Sequence, residues 1–282
     1  MKLAFVGILA VAFSAFSNGS LAQTGGTSPA GPVNNNITQM DGRQANKDVT
    51  EEYLREQLGD PREQAAYDAF HKASEQDPDK KIHLGLAFLA KYQKDRYSSA
   101  VYEELVQTYY DKKDLGSFYT YSEKGLTLFP DDPHLLVLTG WIIPRAFDSH
   151  DPDADKKLDR AESYEKHALD VLGTLVKPEN ITDQQFAQYK LGEQVIAHSG
   201  LGMIYFRREQ YDASAKELEV ATKGQVAPDP TDYFILGADF ENLGQFKDAA
   251  DAFNRCAQMP GTMQDNCKKY AADATQRAAN AR

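Results

Sequence analysis

The sequence predicts an all-α fold made of about five helix pairs closed by a C-terminal capping helix. Three observations predict it. From about Lys47 onward, apolar residues recur at spacings of three and four: Tyr53, Leu54 and Leu58, then Ala66, Phe70 and Ala73, then Ile82, Leu86 and Leu89. That is the period of one helix face, and no alternating run bounded by a hairpin turn competes with it. Pro, Asp and Gly interrupt the pattern at regular intervals, at Asp77-Pro78-Asp79, Lys94-Asp95-Arg96, Asp111 to Asp114, Pro130 to Pro133, Pro178-Glu179-Asn180, Pro228-Asp229-Pro230 and Pro260-Gly261. Such residues start and stop helices, and the pieces between them are about 13–18 residues long, an ordinary helix length. Finally, one pattern of residues returns after 35 positions.

Composition narrows the function. The chain has 282 residues with 31 Lys+Arg against 42 Asp+Glu, a net charge of −11. This acidic balance argues against a general nucleic-acid binder, which needs a Lys/Arg surplus to neutralise phosphates. Two cysteines exclude a disulfide-dense miniprotein and a Cys-rich zinc site. No internal apolar run reaches the ~20 residues of a membrane-spanning helix, so the chain is expected not to span a membrane.

At the N-terminus, Lys2 precedes an apolar run from Leu3 to Phe16, and small and polar residues then lead to Ser20-Leu21-Ala22. This reads as a secretory signal over residues 1–22, cut before Gln23. No Cys follows the run to accept a bacterial lipid. The product is expected to be exported, to a periplasm or by secretion; in a eukaryote Asn36 and Asn180 would head glycosylation sequons. Residues 23–48 include TGGTSPAGPVNNN and few large apolar side chains, so they are predicted to be a disordered linker ahead of a folded domain over 49–282.

The most informative stretch is Tyr233-x2-Leu236-Gly237-x2-Phe240, then Ala249-x3-Phe253, then Pro260. Gly237 lets the first helix approach the second closely. Ala249 and Ala250 are small at the crossing, Leu236, Phe240 and Phe253 fill the space between, and Pro260 ends the second helix. An earlier copy is His198-x2-Leu201-Gly202-x2-Tyr205, then Tyr211, Ser214, Ala215, Leu218 and Ala221. A third, Tyr102-x2-Leu105-Val106-x2-Tyr109 with Leu115, Phe118, Gly125 and Pro130, puts Val106 and Phe118 at small positions, so its helices are expected to pack differently. A fourth, Leu136-x2-Thr139-Gly140-x2-Ile143, is separated from Ala161 and Ala168 by an insert of about nine residues. Segment 61–95 reads as another helix pair without the motif.

These copies resemble the tetratricopeptide repeat (TPR), a helix–turn–helix unit. The likeness is clearest over 99–131, 195–228 and 230–262. It implies a right-handed superhelix whose last unit is shielded by an end helix, a task that the amphipathic segment 263–281 suits. More narrowly, Ala87 to Tyr92 with Arg96 to Ala100 is similar to the FLxKYPxSxYxxxA linker of bacterial envelope TPR proteins of the outer-membrane-assembly and Tol-Pal-accessory type. Gln93 and Asp95 replace its Pro and Ser, and the lipid-anchor Cys is missing. This second likeness implies the compartment and the type of role.

Cys256 near the end of the last repeat and Cys267 early in the end helix flank the turn Pro260-Gly261 symmetrically. That places them opposite each other across a helical hairpin, and in an oxidising compartment a disulfide is expected.

Motifs for chemistry are lacking. His71, His83, His134, His150, His167 and His198 contain no i, i+4 pair, and there is no HExxH, GxSxG, P-loop or GxGxxG. No catalytic residue or cofactor is assigned, and the chain is expected not to be an enzyme. Asp151, Asp153, Asp155, Asp159 and Glu162 follow a calcium-loop spacing, but Lys156 stands where the loop turns on Gly and Pro152 sits at the second position. The other reading is an acidic insert at the N-terminus of a helix over about 156–172.

In TPR arrays the concave groove is lined by set positions of each first helix. The resemblance implies Glu103, Gln107 and Tyr110; His134, Val137, Trp141 and Arg145; Ser199, Met203, Phe206 and Arg207; and Phe234 and Glu241. Tyr110, Trp141, Arg145, Met203, Phe206, Arg207 and Phe234 are the candidate partner-binding residues, because aromatic and Arg side chains dominate interface energies. The arginines would meet carboxylates of an extended or helical peptide. The competing reading packs these aromatics between repeats or under the insert 147–156. The function implied is an exported, non-enzymatic scaffold for protein–protein contacts in the cell envelope. The alternatives are an accessory or catalytic component acting on envelope glycans, and a calcium- or small-ligand-binding module.

Overall fold

The computed structural model describes residues 60–73, 77–177, 182–224 and 229–281. The expected signal segment and linker, and the asparagines of both sequons, lie outside them. Among the described residues there are eleven helices and no strand. They fall into two compact units, one ending at Val101 and the other running from Tyr102 toward the C-terminus.

The first unit holds α1 (Pro61–His71) and α2 (Pro78–Lys91). Both open on Asp-Pro: Asp60 accepts from the Arg62 N–H and Asp77 from the Lys80 N–H, while proline fills a position that needs no donor. Phe70 and Phe88 are buried. Tyr67 stacks on Tyr97 at 4.3 Å and meets Phe88 edge-on at 6.4 Å. Beyond α2, the Ser98 hydroxyl donates to the Tyr92 carbonyl (2.6 Å) and accepts from the Asp95 N–H (3.1 Å), fixing the start of α3 (Ser98–Asp111).

In the second unit, α3 is followed by α4 (Leu115–Leu128), α5 (Pro133–Arg145), α6 (Ala154–Thr174), α7 (Asp183–Arg207), α8 (Tyr211–Gly224), α9 (Pro230–Asn242), α10 (Phe246–Ala257) and α11 (Gln264–Asn280). The first helix of each pair is called A and the second B. Each of α5, α7 and α9 packs on its own B partner, and α7 packs on both α5 and α9. Tyr109 on α3 stacks on Tyr121 of α4 at 5.2 Å. The molecule is an all-α, TPR-like superhelical repeat.

Three A–B turns share one geometry. Lys113, Glu209 and Gly244 have φ of 62°, 58° and 75°, and each stands seven residues after Val106, Gly202 or Gly237. In each, the next residue's N–H closes on the carbonyl five residues back: Asp114 on Tyr109, Gln210 on Tyr205, Gln245 on Phe240, at 3.0, 2.9 and 2.8 Å. Only Gly244 adopts this left-handed backbone without a steric cost.

The helix crossings also keep one register. A Cβ on Gly202 would lie 2.5 Å from the Leu218 side chain, and one on Gly237 would lie 2.7 Å from the Phe253 ring; each partner stands sixteen residues downstream. In the α3–α4 pair sizes change places: Val106 replaces the glycine, and Ser122 occupies the downstream position, both buried.

The pair α5–α6 has no such turn. Residues 147–153 replace it, and α6 begins at Ala154. Helices α6 and α7, of 21 and 25 residues, exceed the 13–18 expected from the breaks. The excess in α7 is N-terminal. A capping box of Thr182 and Gln185 starts the helix just beyond the Pro178 break, and nothing stronger than Gly192 interrupts it before the repeat begins.

At the C-terminal end, Phe253, Cys256, Cys267, Ala271 and Ala274 form a buried cluster under α11. Cys256 and Cys267 are joined by a disulfide, with Cα atoms 5.7 Å apart.

Candidate functional site on the A-helix face

The A helices of the second unit carry every residue expected in the groove. The structure divides them into three groups. Met203 is 1% exposed and Phe234 packs on Phe253 and Tyr270 at 5.5 and 5.4 Å, so both serve the core of the last two pairs. Val137 is buried too. Tyr110, Phe206 and Arg207 keep part of their surface. Trp141 and Arg145 form a third group, buried and bonded to each other.

That third group is a closed polar network. The Arg145 guanidinium lies 3.4 Å over the Trp141 ring. It donates to the Trp141 carbonyl (3.1 Å), the Ser199 hydroxyl (2.9 Å) and Asp232 Oδ1 (3.3 Å), and stands 3.7 Å from Asp229. Ser199 also accepts from the Trp141 indole N–H (3.2 Å) and donates to Asp232 Oδ1 (2.7 Å). The hydroxyl thus uses its one proton and both lone pairs. Arg145 keeps only 5% of its side-chain surface and Asp232 1%. The expectation that Arg145 offers its charge to a partner's carboxylate meets a physical obstacle: this chain's own Asp232 and Asp229 already hold it.

Arg207 differs. Its Nε donates to the Pro144 carbonyl (3.0 Å), and its guanidinium lies 5.6 Å from the Phe147 ring. Among the described residues no carboxylate comes within ion-pair distance of it. Burial, and then the like charge of Arg145, lower its pKa. Phe206 beside it meets Tyr211 edge-on at 6.0 Å.

At the opposite end of α5 and α7, about 16–21 Å away by helix rise, acids gather around His134. Its Nδ1 lies 2.9 Å from Glu193 Oε1. Burial lowers the pKa of His134, but Glu193, with Glu103 and Asp132, outweighs it and raises the net value, so the imidazole is held as the cation. Burial raises Glu103 to about 8, against the pull of His134. Gln107 donates to Asp111 at 3.0 Å, and Glu241 accepts from Arg277 of α11 at 3.0 Å.

Sequence reasoning missed several buried acids, among them Asp239, Asp232 and Glu165 of the second unit. Asp239 is buried in the α9 core and accepts from Ser214 (2.6 Å), while Ser214 lies 2.9 Å from the Gly202 carbonyl. One serine proton cannot serve both acceptors. Burial raises Asp239 to about 8, so below that pH the acid carries the second proton. Asp232 holds Arg145. Glu165 sits on α6 opposite Gly140, at the place Leu218 and Phe253 fill in the next two pairs. The repeat register, corrected for the nine-residue insert, is the signal that could have found it.

The calcium-type spacing does not become a loop. Helix α6 runs from Ala154, so Asp155, Asp159 and Glu162 are spread along it. Asp151 pairs with Lys157 and Asp153 with Lys156, while Arg208 bridges Asp159 and Glu162. Burial raises Glu162, but hydrogen bonds from Lys166, Arg208 and Tyr205 hold it down to about 2. Among the described residues no group of three ligating side chains converges on a metal position.

No protein-family model matches the chain, and no curated protein sequence does. Sixteen chains of solved structures match. One is PilW, a widely conserved type IV pilus biogenesis factor, with a TM-score of 0.54 at 14% identity over 78% of this chain and 92% of that one. At that identity the likeness bears on architecture alone. It agrees with the register of glycines and turns in making this chain an all-α helical-repeat protein of TPR-like fold.

Proposed function

We propose that this chain is an exported, non-enzymatic scaffold of the cell envelope, binding a protein or peptide partner on the A-helix face of the unit from Tyr102. The observation that carries this reading is Arg207. A half-buried guanidinium with no acidic partner among the described residues is costly to keep unless a ligand completes it. A carboxylate fits, held by the terminal nitrogens beside Phe206. The likeness to a pilus biogenesis factor supports an assembly role in the envelope, of which the outer-membrane-assembly and Tol-Pal types are two forms. The Cys256–Cys267 bridge suits an oxidising compartment.

The test is capture from a periplasmic extract by the chain lacking residues 1–22, beside the same chain with Phe206→Ala and Arg207→Ala. Circular dichroism first establishes that both melt alike. The expected result is a protein retained by the first and lost by the second. Equal retention by both would move the interface off this face, and no retained protein would count against the scaffold.

A further inference from the structure

The strongest anomaly in the molecule is Glu165. It has no exposed surface, and neither carboxyl oxygen has a hydrogen-bond partner among the described residues. Its register position belongs to Leu218 and Phe253 in the two following pairs. It fits only because both neighbouring A helices offer glycine there. A Cβ on Gly140 would lie 2.7 Å from the Glu165 carboxyl carbon, and one on Gly200 would lie 1.9 Å from Oε1. An ionised carboxylate in such a slot, with no donor, costs far more than a protonated one. Two charged groups face it: Arg145 from α5 and Glu193 from α7. Glu193 opposes ionisation, and Arg145 is held by Ser199 of α7 and Asp232 of α9.

We propose that Glu165 is a proton-binding site that decides where Arg145 places its charge. With the proton on, Glu165 is neutral and Arg145 ties α5 to α7 and α9 through Ser199 and Asp232. Loss of the proton leaves a carboxylate on which Arg145 is the cation that acts. Glu165 then competes with Asp232 for it, and the tie to α9 loosens. The direction follows from linkage: burial raises this carboxyl well above its usual range, so the closed arrangement binds the proton more tightly than the open one. The closed arrangement is complete at low pH and is lost as pH rises through the folded-state value. Its consequence for a partner rests on the binding reading given above, because Arg207 lies beside Arg145 on the same face; the proton site itself does not.

Two measurements on the full chain test this without any partner. Infrared difference spectra between the wild type and Glu165→Gln report the un-ionised carboxyl, with Asp239→Asn as a background that removes one further buried acid raised to about 8. The expected result is a protonated-acid band at pH 7 that Glu165→Gln abolishes. Its absence would overturn the proposal. Hydrogen exchange of the α9 amides, corrected for intrinsic base catalysis, reads the tie. An opening that releases one proton grows about tenfold per pH unit between the pKa of the open state and the higher pKa of the closed state. With Asp239 of α9 replaced by asparagine in both proteins, the chain carrying Glu165 is expected to show that rise between pH 6 and 9, and Glu165→Gln to be flat. A pH-independent α9 in the wild type would overturn the coupling even if the acid band is present. Glu165→Leu, which restores the residue type of the following pair, serves if the glutamine variant folds poorly.

Discussion

The helix trio α9–α10–α11 and the trio α5–α6–α7 are built on the same repeat, yet they solve its central packing problem in opposite ways. In the first, Gly237 receives the Phe253 ring, small alanines line the crossing, and a disulfide fastens the last helix to the second. In the second, Gly140 receives a carboxyl group, residues 147–153 replace the tight turn, and Arg145 and Ser199 bury charge against Asp232 of α9. The first arrangement spends its residues on apolar contact, which is non-directional and strong. The second fixes charged and polar groups in one geometry, at a desolvation cost that apolar packing would avoid. The difference teaches that repeat proteins can hold a common backbone register while one pair takes a carboxyl group into the slot that the following pairs fill with apolar side chains.

Four changes sharpen or break this contrast. The largest effect belongs to Phe253→Ala, which empties the slot over Gly237 and is expected to cost about 3–5 kcal/mol in urea titrations. A cost below about 1 kcal/mol would mean that the pair collapses to fill the space and that apolar fit is not what distinguishes it. Next, replacing Cys256 and Cys267 by serine removes a short closed loop, for an expected loss of about 2–3 kcal/mol. Full-strength reductant should give the same loss in the wild type and none in the variant.

A smaller effect, readable in melting curves, concerns Asp239. Its folded pKa is raised from 3.8 to about 8 by burial. The stability it contributes is therefore complete below the unfolded value and lost as pH rises through about 8. The wild type should melt progressively lower as pH rises from about 4 to about 8, and Asp239→Asn should flatten that decline. Identical slopes would show that the acid is already ionised. The smallest effect is at the turns. Glu209→Gly relieves a left-handed residue and should stabilise by about 0.5–1 kcal/mol, while Gly244→Ala at the matching turn should destabilise. Equal and opposite signs at the two sites would confirm that the turns share one backbone.

Much of the repeated architecture was legible because it follows from local rules. The Asp-Pro pairs at 77–78, 132–133 and 229–230 mark helix starts through side-chain capping and a proline that lacks only an unused donor. The glycines at 202 and 237 mark close crossings. The groove was legible only as a list of faces. Periodicity placed Tyr110, Trp141, Arg145, Met203, Phe206, Arg207 and Phe234 on the A helices, but it could not say which neighbour each would meet. Met203 and Phe234 went to the core, and Arg145 found Asp232, 87 positions away in the chain.

By itself, then, the sequence determined the helical period, the repeat register, the turns and the pairing of the two cysteines. These depend on residues within one helix or one hairpin, where a few torsions and capping bonds decide the outcome. The tertiary structure alone decided which charges are spent and which remain. Arg145 and Arg207 look alike in sequence, but one is met by Ser199 and Asp232 and the other, among the described residues, by a carbonyl and the Phe147 ring. Glu165 looks like any surface glutamate of an acidic helix until Gly140 and Gly200 close over it. Whether a charge is screened by water or held in a dry slot depends on atoms from three helices at once, and no local pattern carries that information.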